Sequence, residues 1–116
     1  MSFKTLTDAT ASPLGYLPES IAMTEEVYAL TGTTPNLDPD LGTIQTWTLT
    51  ANSTPVDTLT SGQSMTMHLT PGSYSVTWPA STVVGEWPDS LAAGLNVIVI
   101  WKVGTTLYRA YIGATA

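Results

Sequence analysis

The run Leu95-Asn96-Val97-Ile98-Val99-Ile100-Trp101-Lys102-Val103, followed by Gly104 and then by Thr106 to Ile112, constrains this chain more than any other feature. β-Branched side chains crowd the preceding turn of a helix and pack well on a pleated surface, so the run predicts a strand. With Gly104-Thr105 as a two-residue turn, the following segment returns as its hairpin partner. In that register Trp101 faces Tyr108, Val99 faces Ala110 and Val97 faces Ile112 on one side. Ile98, Ile100 and Lys102 stand with Leu107, Arg109 and Tyr111 on the other. Both sides are apolar and both need cover, while 116 residues are few for two complete layers. The expectation is that Ile98, Ile100, Leu107, Arg109 and Tyr111 meet neighbouring subunits.

Period-two patterning begins at Thr43, before this hairpin. Gln45, Trp47, Leu49 and Ala51 alternate with Thr46, Thr48 and Thr50, and Met65, Met67 and Leu69 alternate with Ser64, Thr66 and His68. Beyond the turn signal Pro71-Gly72, Tyr74, Val76 and Trp78 alternate with Ser73, Ser75 and Thr77, which predicts a second hairpin. Pro79 cannot donate to a ladder and ends that strand or confines it to an edge.

Residues 1–42 read differently, broken by Pro13, Gly15, Pro18, Gly32, Pro35, Pro39 and Gly42. Met23, Val27 and Leu30 fall at i, i+4 and i+7, with Gly32 where a helix would stop, so a short helix is expected over 20–31. The expected fold is therefore all-β: a small antiparallel β-sandwich or barrel-like domain over residues 43–116, with an irregular N-terminal arm over 1–42 that carries that helix.

Composition excludes several functions. Nine acids stand against Lys4, Lys102 and Arg109, a formal net charge of -6. There is no basic stripe to neutralise phosphates, so neither nucleic acid nor an anionic membrane is an expected partner. Only 10% of residues are charged, against about a quarter in an ordinary soluble domain, which leaves apolar surface for companion chains to cover. Without cysteine there is no disulfide, thiolate metal site or thiol nucleophile. The opening Met1-Ser2-Phe3-Lys4 lacks the apolar run of a signal peptide, and no apolar stretch reaches the ~18 residues of a membrane span. The expectation is a product made in the cytoplasm, or assembled there into a particle.

Catalytic, cofactor and metal sites are not expected. His68, the single histidine, falls on the polar face of its strand with no carboxylate beside it in sequence. Asp38-Pro39-Asp40 reads as a turn rather than a calcium loop, which would need six to eight oxygens. Glu25-Glu26 lacks a facing acid, no serine sits in a Gly-x-Ser-x-Gly elbow, and Asn52-Ser53-Thr54 is a turn. Trp47, Trp78, Trp87 and Trp101 are expected to be the core's main mass, each worth several kcal/mol at ~25 cal/mol per Å² over some 150–250 Å². A rival reading makes them platforms for carbohydrate, which requires indoles exposed in a groove.

Four stretches carry a resemblance: Trp47-Thr48-Leu49-Thr50-Ala51-Asn52-Ser53, Ser61-Gly62-Gln63-Ser64-Met65, Tyr74-Ser75-Val76-Thr77-Trp78-Pro79, and Val99-Ile100-Trp101-Lys102-Val103-Gly104-Thr105-Thr106-Leu107-Tyr108. In this order they resemble the β-domain that closes many tailed-bacteriophage virion proteins of the tail-fibre-like class. The chain departs from that pattern at Arg109, where such sequences commonly have glycine, and over Val83 to Asp89, which lacks the usual Gly-Gly turn. The resemblance implies a fold and an assembly, and no active site. A free-standing domain with a short arm implies a capsid decoration or cement protein on the virion surface. It would act as a homotrimer bound to the major capsid protein or another virion protein, with Phe3, Leu14, Tyr16 and Leu17 of the arm as capsid contacts. The alternative it implies is a tail-fibre or head-fibre module that recognises a host glycan.

Overall fold

The computed structural model describes residues 24–115. Eight strands form: β1 (Val27–Leu30), β2 (Asn36–Leu37), β3 (Ile44–Thr48), β4 (Val56–Asp57), β5 (Ser64–Thr70), β6 (Thr82–Val83), β7 (Asn96–Val103) and β8 (Thr106–Ala114). No helix occurs among the described residues, so the all-β expectation holds for them. Six strands make one open sheet in the order β1-β3-β5-β7-β8-β6, and β2 pairs with β4 in a small second sheet.

The sheet is mixed rather than antiparallel throughout. β1, β3 and β5 run parallel to one another, β5, β7 and β8 are antiparallel, and β6 is parallel to β8. Parallel neighbours need long crossovers. The segments leaving β1 and β3 supply them, carry β2 and β4 on the way, and lay Leu37 and Leu59 onto the core.

The last hairpin forms as its sequence requires. Trp101 pairs with Tyr108, Val99 with Ala110 and Ile100 with Arg109, around a turn in which Gly104 takes a φ of 62°. A positive φ at the first of two turn residues is what a primed turn demands and what glycine supplies without strain. At the far end a bulge between Val97 and Ile98 shifts the register, so Val97 meets Gly113 and Ile112 is the extra residue.

Two local expectations are corrected. Of the helix expected over 20–31, residues 20–23 lie outside the described residues, and Val27–Leu30 is strand β1, paired with β3. Four residues of helix offer no long-range contact, whereas the same four in the sheet put Leu30 beside Trp47. The second hairpin does not form either. Pro71 to Tyr74 do turn, with the Tyr74 N–H donating to the Pro71 carbonyl at 3.0 Å, but residues 74–78 leave the sheet. Both edges of β5 are already taken by β3 and by the more apolar β7. Only a bridge between Val76 and Ser53 remains, and Val76 and Trp78 pack on the core from outside the ladder.

The core lies on one face of the sheet. Trp47, Met65, Met67, Leu69, Ile98, Ile100 and Leu107 point into it, together with Leu30, Leu37, Leu49 and Leu59. Ile98 and Ile100 are 0% and 1% exposed, and Leu107 is equally inaccessible at 4%. The subunit contact expected through Ile98, Ile100 and Leu107 is thereby corrected, because the chain's own crossovers and loops bury them. Arg109 and Tyr111 project to the same side. The opposite face carries the half-buried Val97, Val99, Trp101, Tyr108 and Ala110. It continues into Thr46, Thr48, Thr66 and His68 on β3 and β5.

Candidate functional site

Two surfaces stand out, one on each side of the sheet. The outer face of β7 and β8 is a strip of half-buried apolar side chains. Trp101 stacks on Tyr108 with centroids 5.6 Å apart and planes 14° apart, and Val99 sits beside Ala110. Val103 at the hairpin end and the bulged Ile112 are 60% and 63% exposed.

The second surface is a groove on the core side, formed where the chain passes through residues 72–78 and 87–91. It encloses about 480 Å³ and is lined by Tyr74, Val76, Trp78, Trp87 and Leu91 among Ser73, Ser75, Ser90 and Asp89. Trp78-Pro79 and Trp87-Pro88 place a proline after each indole. That biases the tryptophan to extended backbone and removes the next N–H donor, so neither residue joins a ladder.

The groove's walls are fixed from behind by Asn96. This residue is fully buried, and its Nδ2 donates to the carbonyls of Leu69, Ala92 and Gly94 at 3.3, 2.8 and 3.1 Å. Its Oδ1 accepts from the Ala92 N–H at 3.1 Å and from the Tyr111 hydroxyl at 2.8 Å. One amide thus ties β7, β5, β8 and the 92–94 loop together. On the other wall the Ser75 N–H donates to Asn52 Oδ1 at 3.0 Å, and Ser53 pairs its backbone with Ser75 and Thr77.

Arg109 joins the two tryptophans. Its guanidinium lies 4.1 Å from the Trp87 ring centre and 5.5 Å from that of Trp78, while its Nε donates to Ser81 Oγ at 2.8 Å. Trp87 meets Trp78 and Tyr111 edge to face at 5.7 and 5.9 Å. Desolvation lowers the Arg109 pKa from its ordinary value, yet a guanidinium remains a cation at neutral pH, so its attraction to the ring faces persists.

The other charged residues take structural places. Lys102 Nζ bonds Asp57 Oδ2 at 2.8 Å and the Leu59 carbonyl at 3.0 Å, clasping the 57–59 loop to β7. Asp38-Pro39-Asp40 forms a turn in which the Asp40 N–H donates to Asp38 Oδ1 and the Leu41 N–H to the Asp38 carbonyl. Glu25 accepts from the Thr43 hydroxyl beside β1. His68 stands on the outer face with Ser64 and Thr66, as alternation requires. Among the described residues no three His, Asp or Glu side chains come close enough to hold a metal ion.

Of the residues expected to act at a site, Arg109 and Tyr111 come together behind the groove, Ile98, Ile100 and Leu107 lie in the core, and Phe3, Leu14, Tyr16 and Leu17 lie outside the described residues. The four tryptophans divide. Trp47 is buried, Trp78 and Trp87 line the groove, and Trp101 is on the outer face. Tyr74 and Asp89 were not singled out by sequence, although the twofold Trp-Pro pairing marks the segments that build the groove. No protein-family model matches the chain, and neither curated proteins nor solved structures include a significant match.

Proposed function

We propose that this chain is a non-catalytic structural domain of a bacteriophage virion, acting as a capsid decoration or cement protein in multimeric form. The observation that supports it best is the apolar outer face of β7 and β8, where Val97, Val99, Trp101, Tyr108 and Ala110 form a continuous strip with the exposed Val103 and Ile112 at its ends. Contiguous apolar surface in a chain with so few charges fits burial against companion subunits. The contact between copies is thus assigned to this face and not to the Ile98 side. The virion reading rests on the resemblance of the 47–108 segments to phage β-domains, and the capsid protein is the partner it implies.

Quantifying the chain in purified particles tests this reading. A copy number comparable to the major capsid protein supports decoration, and a few copies per particle, or none, overturns it. Native mass spectrometry of the purified chain reads the multimer directly, with a trimer as the expected species.

A further inference from the structure

The groove between residues 72–78 and 87–91 has a composition that assembly through the outer face does not use. Its apolar lining residues Val76, Trp78, Trp87 and Leu91 also pack on the core cluster, which places the groove on the side of the sheet opposite Val99 and Trp101. Multimers joined through the outer face leave it open. Tyr74, 44% exposed, shares the groove with the two indoles, and Asp89 and three serine hydroxyls are interspersed among them. Its volume falls within the range of small-molecule sites.

The ligand class follows from what these groups want. No Lys, Arg or His lines the groove, and Asp89 repels anions, so phosphorylated and sulfated ligands are disfavoured. A cation is disfavoured as well, because the Arg109 charge held against Trp87 and Trp78 opposes a second one there. A proline-rich segment would stack on the aromatics but brings carbonyl acceptors with few N–H donors, leaving the Asp89 carboxylate unanswered. A sugar answers both. Its C–H face, slightly positive, seats on the negative face of an aromatic ring, and its hydroxyls donate to a carboxylate in charge-assisted bonds. We infer that this groove binds a neutral oligosaccharide, with the exposed Tyr74 ring as the stacking surface, Trp78 and Trp87 as the apolar wall beside it and Asp89 as the hydroxyl acceptor.

The test is a titration of the full chain, followed by tryptophan fluorescence and calorimetry. The probes are neutral gluco-, galacto-, manno-, rhamno- and N-acetylglucosamine oligosaccharides, with choline and decaproline as competing chemistries. Saturable binding of at least one oligosaccharide, with a Kd of about 1 mM or tighter, is expected. Tyr74→Ala and Asp89→Ala alter exposed side chains and should each weaken it about tenfold while the thermal midpoint holds. Val99→Asp, on the opposite face, should bind as the parent does, which separates this inference from the proposed assembly. Absence of saturation by every oligosaccharide overturns the inference. So does binding that survives both groove variants or fails in Val99→Asp, and so does saturation by choline or decaproline in their place.

Discussion

Val99 and Ile100 are neighbours in β7 and meet opposite environments. Val99 faces outward between Thr66 and Ala110, and Ile100 faces inward between Met65 and Arg109, 1% exposed. The same substitution therefore has opposite consequences. Ile100→Asp strands a carboxylate in the core beside Arg109, whose guanidinium is already engaged by Trp87 and Ser81, and should cost more than ~4 kcal/mol, leaving an unfolded chain by circular dichroism. Val99→Asp should cost about 1 kcal/mol, keep the fold, and shift native mass spectra from multimer to monomer. A folded Ile100→Asp chain, or an undisturbed multimer in Val99→Asp, would contradict this assignment of the two faces.

Asn96 makes five hydrogen bonds to four residues, in β5, β8 and the 92–94 loop. Asn96→Leu keeps the branching of the side chain and leaves the Ala92 N–H, three carbonyls and the Tyr111 hydroxyl without that partner, so a loss of about 2–4 kcal/mol is expected in urea denaturation. Amide exchange at Ala92 should accelerate more than at Ile100 if the loss begins in the loop.

The Lys102–Asp57 pair is partly shielded, with side-chain exposures of 15% and 22%, and Lys102 also holds the Leu59 carbonyl. A double-mutant cycle using Lys102→Met and Asp57→Asn should give a coupling of about 1 kcal/mol. The coupling should shrink in high salt, since the pair is not fully withdrawn from solvent. Zero coupling at low salt would show that the ion pair adds nothing to the hold that packing and the Lys102–Leu59 hydrogen bond give the 57–59 loop.

Gly42 lies against β1 so closely that an added Cβ would come within 2.8 Å of the Glu26 carbonyl oxygen and 3.0 Å of Tyr28 Cβ. Backbone cannot yield as a flexible side chain can. Gly42→Ala should destabilise by about 1–3 kcal/mol and detach β1, seen as faster amide exchange over Val27–Leu30. Unchanged exchange there would mean that β1 and the 42–43 segment can separate without loss.

Gln45 shows why such a turn was only partly legible. Alternation correctly assigns it inward with Trp47, but its amide is inside because Nε2 donates to the Asp38 and Gly42 carbonyls at 2.8 and 2.9 Å. A buried amide looks, in sequence, like any polar interruption of an apolar stripe. Its partners are set by a turn whose position against β3 exists only after folding.

Pattern along the chain determined the last hairpin: its turn at Gly104-Thr105, the partners Trp101–Tyr108, Val99–Ala110 and Ile100–Arg109, and the division of each strand into two faces. These follow from local sterics and from alternation, which act over a few residues. Tertiary structure decided which face became the core. Ile98/Ile100 and Val97/Val99 are nearly equal in apolarity, so a strand greasy on both sides carries no inward signal of its own. β5 supplied it, because its Met65 and Met67 pair with Ile100 and Ile98 while Thr66 and His68 pair with Val99 and Val97. Pairing parity between distant strands also gave β5 a parallel neighbour in β3, released residues 74–78 from the sheet, and so opened the tryptophan groove. Such pairings depend on competition among all strands for the same edges, which no local window of sequence contains.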